Sequence, residues 1–249
     1  IIQQIFDVPT IPGNVTSVLT VIFLLFSILH ATYVLGFRNM LYFFIIAAVV
    51  SWAFEQIGVE SGLIYGDYYY TDVLGLKLGH VPMLVIFAWF MMIYPSYIIT
   101  NIIVSGRSTC KPKNPHSLIG LSLLSATVMT AWDVVLDPWM SGPIRQVWIW
   151  ENGGEYFGVP NLNFFGWMLT TFFVFLIYRF LETKIKTKPM GPVDRKIAVL
   201  PLIAYGFMMS RYVLNPYMPE VVIIGLFVMG TPLIIAFMRL FYTEDDNYE

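Results

Sequence analysis

Seven stretches of roughly 20 mostly apolar residues recur along the chain, at 16–36, 38–58, 81–104, 116–136, 163–181, 197–214 and 219–240. In hydrocarbon every backbone polar group must be satisfied within the structure, which leaves helices as the economical way to cross. The predicted fold class is therefore all-α, a polytopic membrane helix bundle of about seven transmembrane helices. The whole chain, 1–249, reads as a single transmembrane domain.

Composition agrees where it bears on this. Hydrophobic residues make up 57% and charged residues 12%, against about 25% charged in a typical soluble domain. The mean hydropathy is +0.70. The formal charge of −2, with no basic arm, argues against nucleic acid as a partner. One cysteine, Cys110, and three scattered histidines, His30, His80 and His116, offer no metal-ligand spacing, so no metal or other cofactor is expected. The last span contains no lysine that could hold retinal, and no glycine-rich phosphate loop appears. The opening Ile in place of Met implies residues lost at the start, and no cleavable signal peptide is apparent.

Charge sets the expected orientation. With seven spans, Arg38, Arg107, Lys111, Lys113, Arg179, Lys184, Lys186, Lys188, Arg195, Lys196 and Arg239 share one side, 11 of the 14 Lys and Arg. The three exceptions are Lys77, Arg145 and Arg211. The positive-inside rule then predicts a multi-pass cell-membrane protein with its N-terminus outside and its C-terminus cytoplasmic. The two long connecting segments, 59–80 and 137–162, fall together on the outer side.

Those segments belong to an internal hairpin repeat, with units approximately 38–104 and 116–181. Glu55 and Asp133, Val81-Pro82 and Val159-Pro160, and Trp89 and Trp167 all recur at an offset of 78. Gly66-Asp67-Tyr68-Tyr69 is echoed by Gly154-Glu155-Tyr156-Phe157. The first residues, through Pro12 and Gly13, read as an irregular lead-in, and the tail from Tyr242 as solvated.

The acids are the informative residues. A carboxylate in an apolar span costs roughly 2.5–3.5 kcal/mol and normally faces the bundle interior. Asp133 and Asp137, four apart, share a helix face, and Pro138 is expected to end that helix. Glu55 lies in a second apolar helix, with Glu60 five residues on. The plainer alternatives are a hydrated Asp137 at the membrane boundary, an Asp133 paired to Arg145 or Arg211, and structural hydrogen bonds to Glu55. Gly58, Gly62 and Gly66 read as packing positions, and His30 as a core residue. Aromatic residues crowd both outer segments, which suits an interfacial belt or a wall against a transient carbocation.

Two ordered motifs carry a resemblance. E-x-x-G-V-E-x-G, Y-G-D-Y-x-Y and V-P within 55–82, then D-x-x-x-D-P, W-x-W and G-x-Y-x-G-V-P-x-x-N-F-x-G-W within 133–167, resemble the membrane carotenoid-biosynthesis proteins. That family includes membrane-embedded carotenoid hydratases of the bisanhydrobacterioruberin hydratase type. The resemblance implies cofactor-independent addition of water to a terminal double bond of an acyclic carotenoid. It implies Asp133 and Glu55 first, then Asp137 and Glu60, as acid or base. Trp132, Tyr68, Tyr156, Trp167, Trp89 and Asn163 would contact the polyene, with membrane lipid as the surrounding partner. A carotenoid cyclase or isomerase would use the same cation chemistry, and a lipid or isoprenoid transporter would use the hairpins as a path. The oligomeric state is not legible.

Overall fold

A computed structural model describes residues 13–185, 194–214 and 218–242, with side chains from Thr16. The lead-in through Pro12, Lys186, Lys188 and the tail from Thr243 lie outside the described residues. Five long helices come first: α1 (Gly13–Leu35), α2 (Phe37–Ser61), α3 (Met83–Ser105), α4 (Pro115–Ser141) and α5 (Asn161–Lys184). Then follow α6 (Arg195–Ala198), α7 (Leu200–Val213), α8 (Pro219–Val228) and α9 (Gly230–Phe241).

Six helices among the described residues are long and apolar enough to cross a membrane, with α8 and α9 counted together as Pro219–Phe241. The stretch at 197–214 differs from expectation. It is broken into α6 and α7, and the 14 residues of α7 rise only about 21 Å, so its length is shared with α6, from which Val199 alone separates it. Pro201, near the start of α7, lacks the N–H that would continue the ladder from α6.

Central placement falls to α3, which is buried without interruption from Trp89 to Ile102. It packs against α1, α2, α4, α7 and α9, while α4 lies along α5 and α5 along α2. Outward-facing Leu29, Phe165 and Phe227 are each about 70% exposed (69%, 72% and 70%), as lipid-facing side chains should be. His30 is a core residue, its ring nitrogens 2.6 Å from the Tyr94 hydroxyl and 2.9 Å from the Ile197 carbonyl.

Pro138 does not end α4, which runs on to Ser141. A proline so near the C-terminus forfeits a single hydrogen bond, to the Val134 carbonyl, before the helix would stop anyway.

The connecting segments hold strands that periodicity did not announce. β1 (Tyr68–Tyr70) pairs antiparallel with β4 (Trp148–Trp150), and β2 (Lys77–Leu78) with β3 (Val81–Pro82). The β1–β4 ladder joins the two hairpins at one end of the bundle, Tyr68 opposite Trp150 and Tyr70 opposite Trp148. Residues 61–70 and 141–150 follow the same course of helix end, turn and strand, so the matching offset here is 80. The echo between Gly66–Tyr69 and Gly154–Phe157 is not the structural equivalence, because Tyr156 and Val159 close a separate tight turn. Past the loops the halves agree again. Pro82 and Pro160 cap α3 and α5 with nearly identical dihedrals, −60°/136° and −64°/138°.

Candidate active site

Alternation along a strand sends residues i and i+2 to the same face. Tyr68 and Tyr70 therefore both point inward from β1, and their hydroxyls donate to Glu55 Oε2 at 2.5 and 2.9 Å. Trp89, near the start of α3, donates its indole N–H to Glu55 Oε1 at 3.1 Å. Burial, then the Glu55 charge, push Tyr68 and Tyr70 well above the usual phenol range, so both remain donors.

The second half builds a comparable nest with indoles. Trp148 and Trp150 point inward from β4 and donate to Asp137 Oδ1 at 2.8 and 3.0 Å. The Asn163 amide, from the first turn of α5, donates to Asp137 Oδ2 at 2.8 Å and to Asp133 Oδ2 at 2.7 Å. Asp133 Oδ1 is buried with no hydrogen-bond partner among the described residues. The three carboxyl groups are 4% (Glu55), 0% (Asp133) and 1% (Asp137) exposed, so none is a hydrated boundary residue. No ion pair joins Asp133 to Arg145 or Arg211. The described ion pairs are Lys77–Asp72 and His80–Glu60.

Glu55 and Asp137 face one cavity of about 80 Å³. Several waters would fill that volume, at 10–15 Å³ of such space each, so it suits the end group of a chain and a water together. Aromatic rings make its walls: Tyr65, Tyr68, Tyr70, Trp132, Trp148, Trp150 and Trp167 among them. Trp89 and Trp167, equivalent in the two hairpins, stack with centroids 4.1 Å apart, and Trp132 meets Trp167 edge-on at 6.0 Å. Thr16 and Thr20 of α1 and Met208, Arg211 and Tyr212 of α7 also line it.

Most of the residues singled out in the sequence therefore meet here. Glu55, Asp137, Tyr68, Trp89, Trp132, Asn163 and Trp167 line the cavity. Asp133 stands one helical turn from Asp137, behind the wall, and reaches it through Asn163. Asn163 is thus a clamp on the two aspartates as well as a wall residue. Glu60 does not join them: it lies at the surface, 2.6 Å from the Gln56 amide and 3.8 Å from His80. Tyr156 is not a wall residue either. Its ring packs on Phe157 and Phe164, its buried hydroxyl has no partner among the described residues, and burial followed by the Asp133 charge raises it to about 12.

Tyr70, Trp148 and Trp150 were not among the expected site residues, although Tyr-x-Tyr and Trp-x-Trp are the signal that could have found them. Tyr65 is a further addition. Its ring lies where a Cβ on Gly58 or Gly166 would sit, wedged between α2 and α5, and its hydroxyl is 2.6 Å from Thr170 Oγ1. Gly58 is therefore a packing position for this ring. Among the described residues no three His, Cys, Asp or Glu side chains gather as a metal site would require.

The fold and cavity define a class: an all-α polytopic membrane protein that buries carboxyl groups among aromatic rings inside the bundle. The chain belongs to the carotenoid biosynthesis protein family, whose pattern it matches over residues 13–237. It is 30% identical over 132 residues to the bisanhydrobacterioruberin hydratase of Haloarcula japonica, covering 52% of this chain and 41% of that protein. The match thus spans less than half of the relative's length. No solved structure matches the chain.

Proposed function

We propose that the protein is a carotenoid hydratase, a carbon–oxygen lyase that adds water across a terminal double bond of an acyclic carotenoid without a cofactor. The observation that carries this reading is the convergence of two separately built carboxyl nests, Glu55 and Asp137, on one aromatic cavity. The family and the hydratase relative support the substrate class and the reaction type.

The chemistry asks for an acid, a stabiliser of positive charge and a base for water. Asp137, linked to Asp133 by Asn163, delivers a proton to the terminal alkene carbon. The tertiary cation that forms faces the aromatic walls and the Glu55 carboxyl, whose oxygens accept from Tyr68, Tyr70 and Trp89. Water bonds to the cation and returns its surplus proton to the aspartate pair. One water has been added and the protein is restored. The cavity takes the end of the polyene, and the remainder lies between helices in the apolar zone. Eleven of the 14 basic residues on one side support a cytoplasmic C-terminus and an outer active site.

Expression in a host that makes acyclic carotenoids, with mass analysis of the pigments, tests the reading. A pigment heavier by one water is expected. Glu55→Gln and Asp137→Asn should each lower its yield by about 100-fold or more. A new pigment of unchanged mass would point to cyclisation instead, and full activity in both variants would remove the proposed site.

A further inference from the structure

Three basic residues, Lys77, Arg145 and Arg211, break the charge bias along the sequence. Lys77 is accounted for locally: its ammonium bonds the Tyr70 carbonyl at 2.8 Å and Asp72 at 3.2 Å. The other two, 66 residues apart in the chain, come together. Arg145, in the turn between α4 and β4, donates to Thr16 Oγ1 at 2.9 Å, and Thr16 and Arg211 of α7 line the same cavity, so Thr16 links the two cations. Arg211 lines the cavity beside Thr16, Thr20 and Tyr212.

Neither guanidinium has a carboxylate partner among the described residues. Arg145 spends one nitrogen on Thr16 Oγ1 at 2.9 Å and lays its plane over the Trp139 ring at 5.2 Å. Its other terminal nitrogen, Nη2, is buried without a hydrogen-bond acceptor among the described residues. Like charges drawn together in a half-buried place, with a donor left open, are costly unless an anion sits between them. Burial and the neighbouring Arg211 both push Arg145 below its ordinary value, as expected of a cation whose counter-charge is missing.

We infer that Arg145 and Arg211 form an anion site beside the cavity, fitted to a phosphate-type oxyanion. Two planar forks of N–H donors are what phosphate oxygens bind best. The charge can come from a phospholipid head group at the membrane surface or from a soluble phosphate. The inference stands apart from the proposed reaction, since it rests on neither Glu55 nor Asp137.

The test uses the full chain, purified in a neutral maltoside detergent and titrated with phosphatidylglycerol, diacylglycerol or inorganic phosphate. Native mass spectrometry counts the ligand retained. Phosphatidylglycerol should bind and diacylglycerol should not. Binding of the lipid alone assigns the site to a head group, and equal protection by inorganic phosphate assigns it to a soluble anion. Arg145→Gln and Arg211→Gln should each weaken binding about tenfold, the loss of one charge-assisted contact. Lys77→Gln should leave it unchanged. Where a glutamine variant does not fold, Arg→Lys at the same position keeps the charge and should weaken binding severalfold by losing the fork. Failure of the wild type to favour phosphatidylglycerol or to bind phosphate overturns the inference, as does undiminished binding in the variants.

Discussion

Glu55, Asp133 and Asp137 were legible in the sequence because a carboxylate inside an apolar span is expensive to keep. Their ranking was not. Asp133 and Asp137 share a helix face, and only the strands after α4 decide which of them meets the cavity. Trp148 and Trp150 close over Asp137 and leave Asp133 to Asn163. Glu60 shows the opposite failing, since a conspicuous acid five residues from Glu55 turns out to serve Gln56 and His80 at the surface. Asn163 carries the sharpest prediction at this scale. Asn163→Leu removes the donor that serves both aspartates, so turnover should fall by about 100-fold while carotenoid still binds. Rates and substrate retention measured on the purified variant check this. Activity near wild type would show that the clamp has no part in the chemistry.

Among the elements, the long helices could be read directly from apolar runs, with their ends within a few residues. What could not be read was how the connecting segments fold back onto them. Three-residue strands give too few alternations to register as strands alone, and β1 is recognisable only once β4 lies beside it. The run at 197–214 carries an interruption that hydropathy does not register: Pro201 has no N–H to continue the ladder, so the run is divided into α6 and α7. Tyr65 ties these pieces together by filling the gap between α2 and α5. A Cβ on Gly58 would lie 2.5 Å from its ring. Gly58→Ala should therefore destabilise the folded protein by about 1–3 kcal/mol. Thermal unfolding in detergent would show a lower midpoint, partly recovered in the Gly58→Ala/Tyr65→Ala pair. An unchanged midpoint would mean the wedge is loose.

At the scale of the whole molecule, the two helical hairpins, α2–α3 and α4–α5, meet through equivalent parts. β1 pairs with β4, and Trp89 stacks on Trp167. The sequence displayed the repeat through its offset of 78. It could not display that the offset shifts to 80 across the loops, because residues 61–70 and 141–150 share a backbone course with few identical side chains. Each half brings one acid to the shared cavity, and the halves differ in what surrounds it: phenols around Glu55, indoles and an amide around Asp137. The charge bias adds a direction. Labelling of intact cells with a membrane-impermeant maleimide, in a Cys110→Ser background, should modify Leu63→Cys at the outer end. Lys113→Cys should react only after lysis. The reverse pattern would turn the molecule over.

Capture of water by a carotenoid cation in the cavity is the step on which the proposed function stands or falls. The most direct measurement incubates the purified protein and an acyclic carotenoid in oxygen-labelled water and follows the label. One labelled oxygen is expected in the product, at the new hydroxyl, and none with the Glu55→Gln or Asp137→Asn variants. A product that forms without taking up the label would contradict the proposed function.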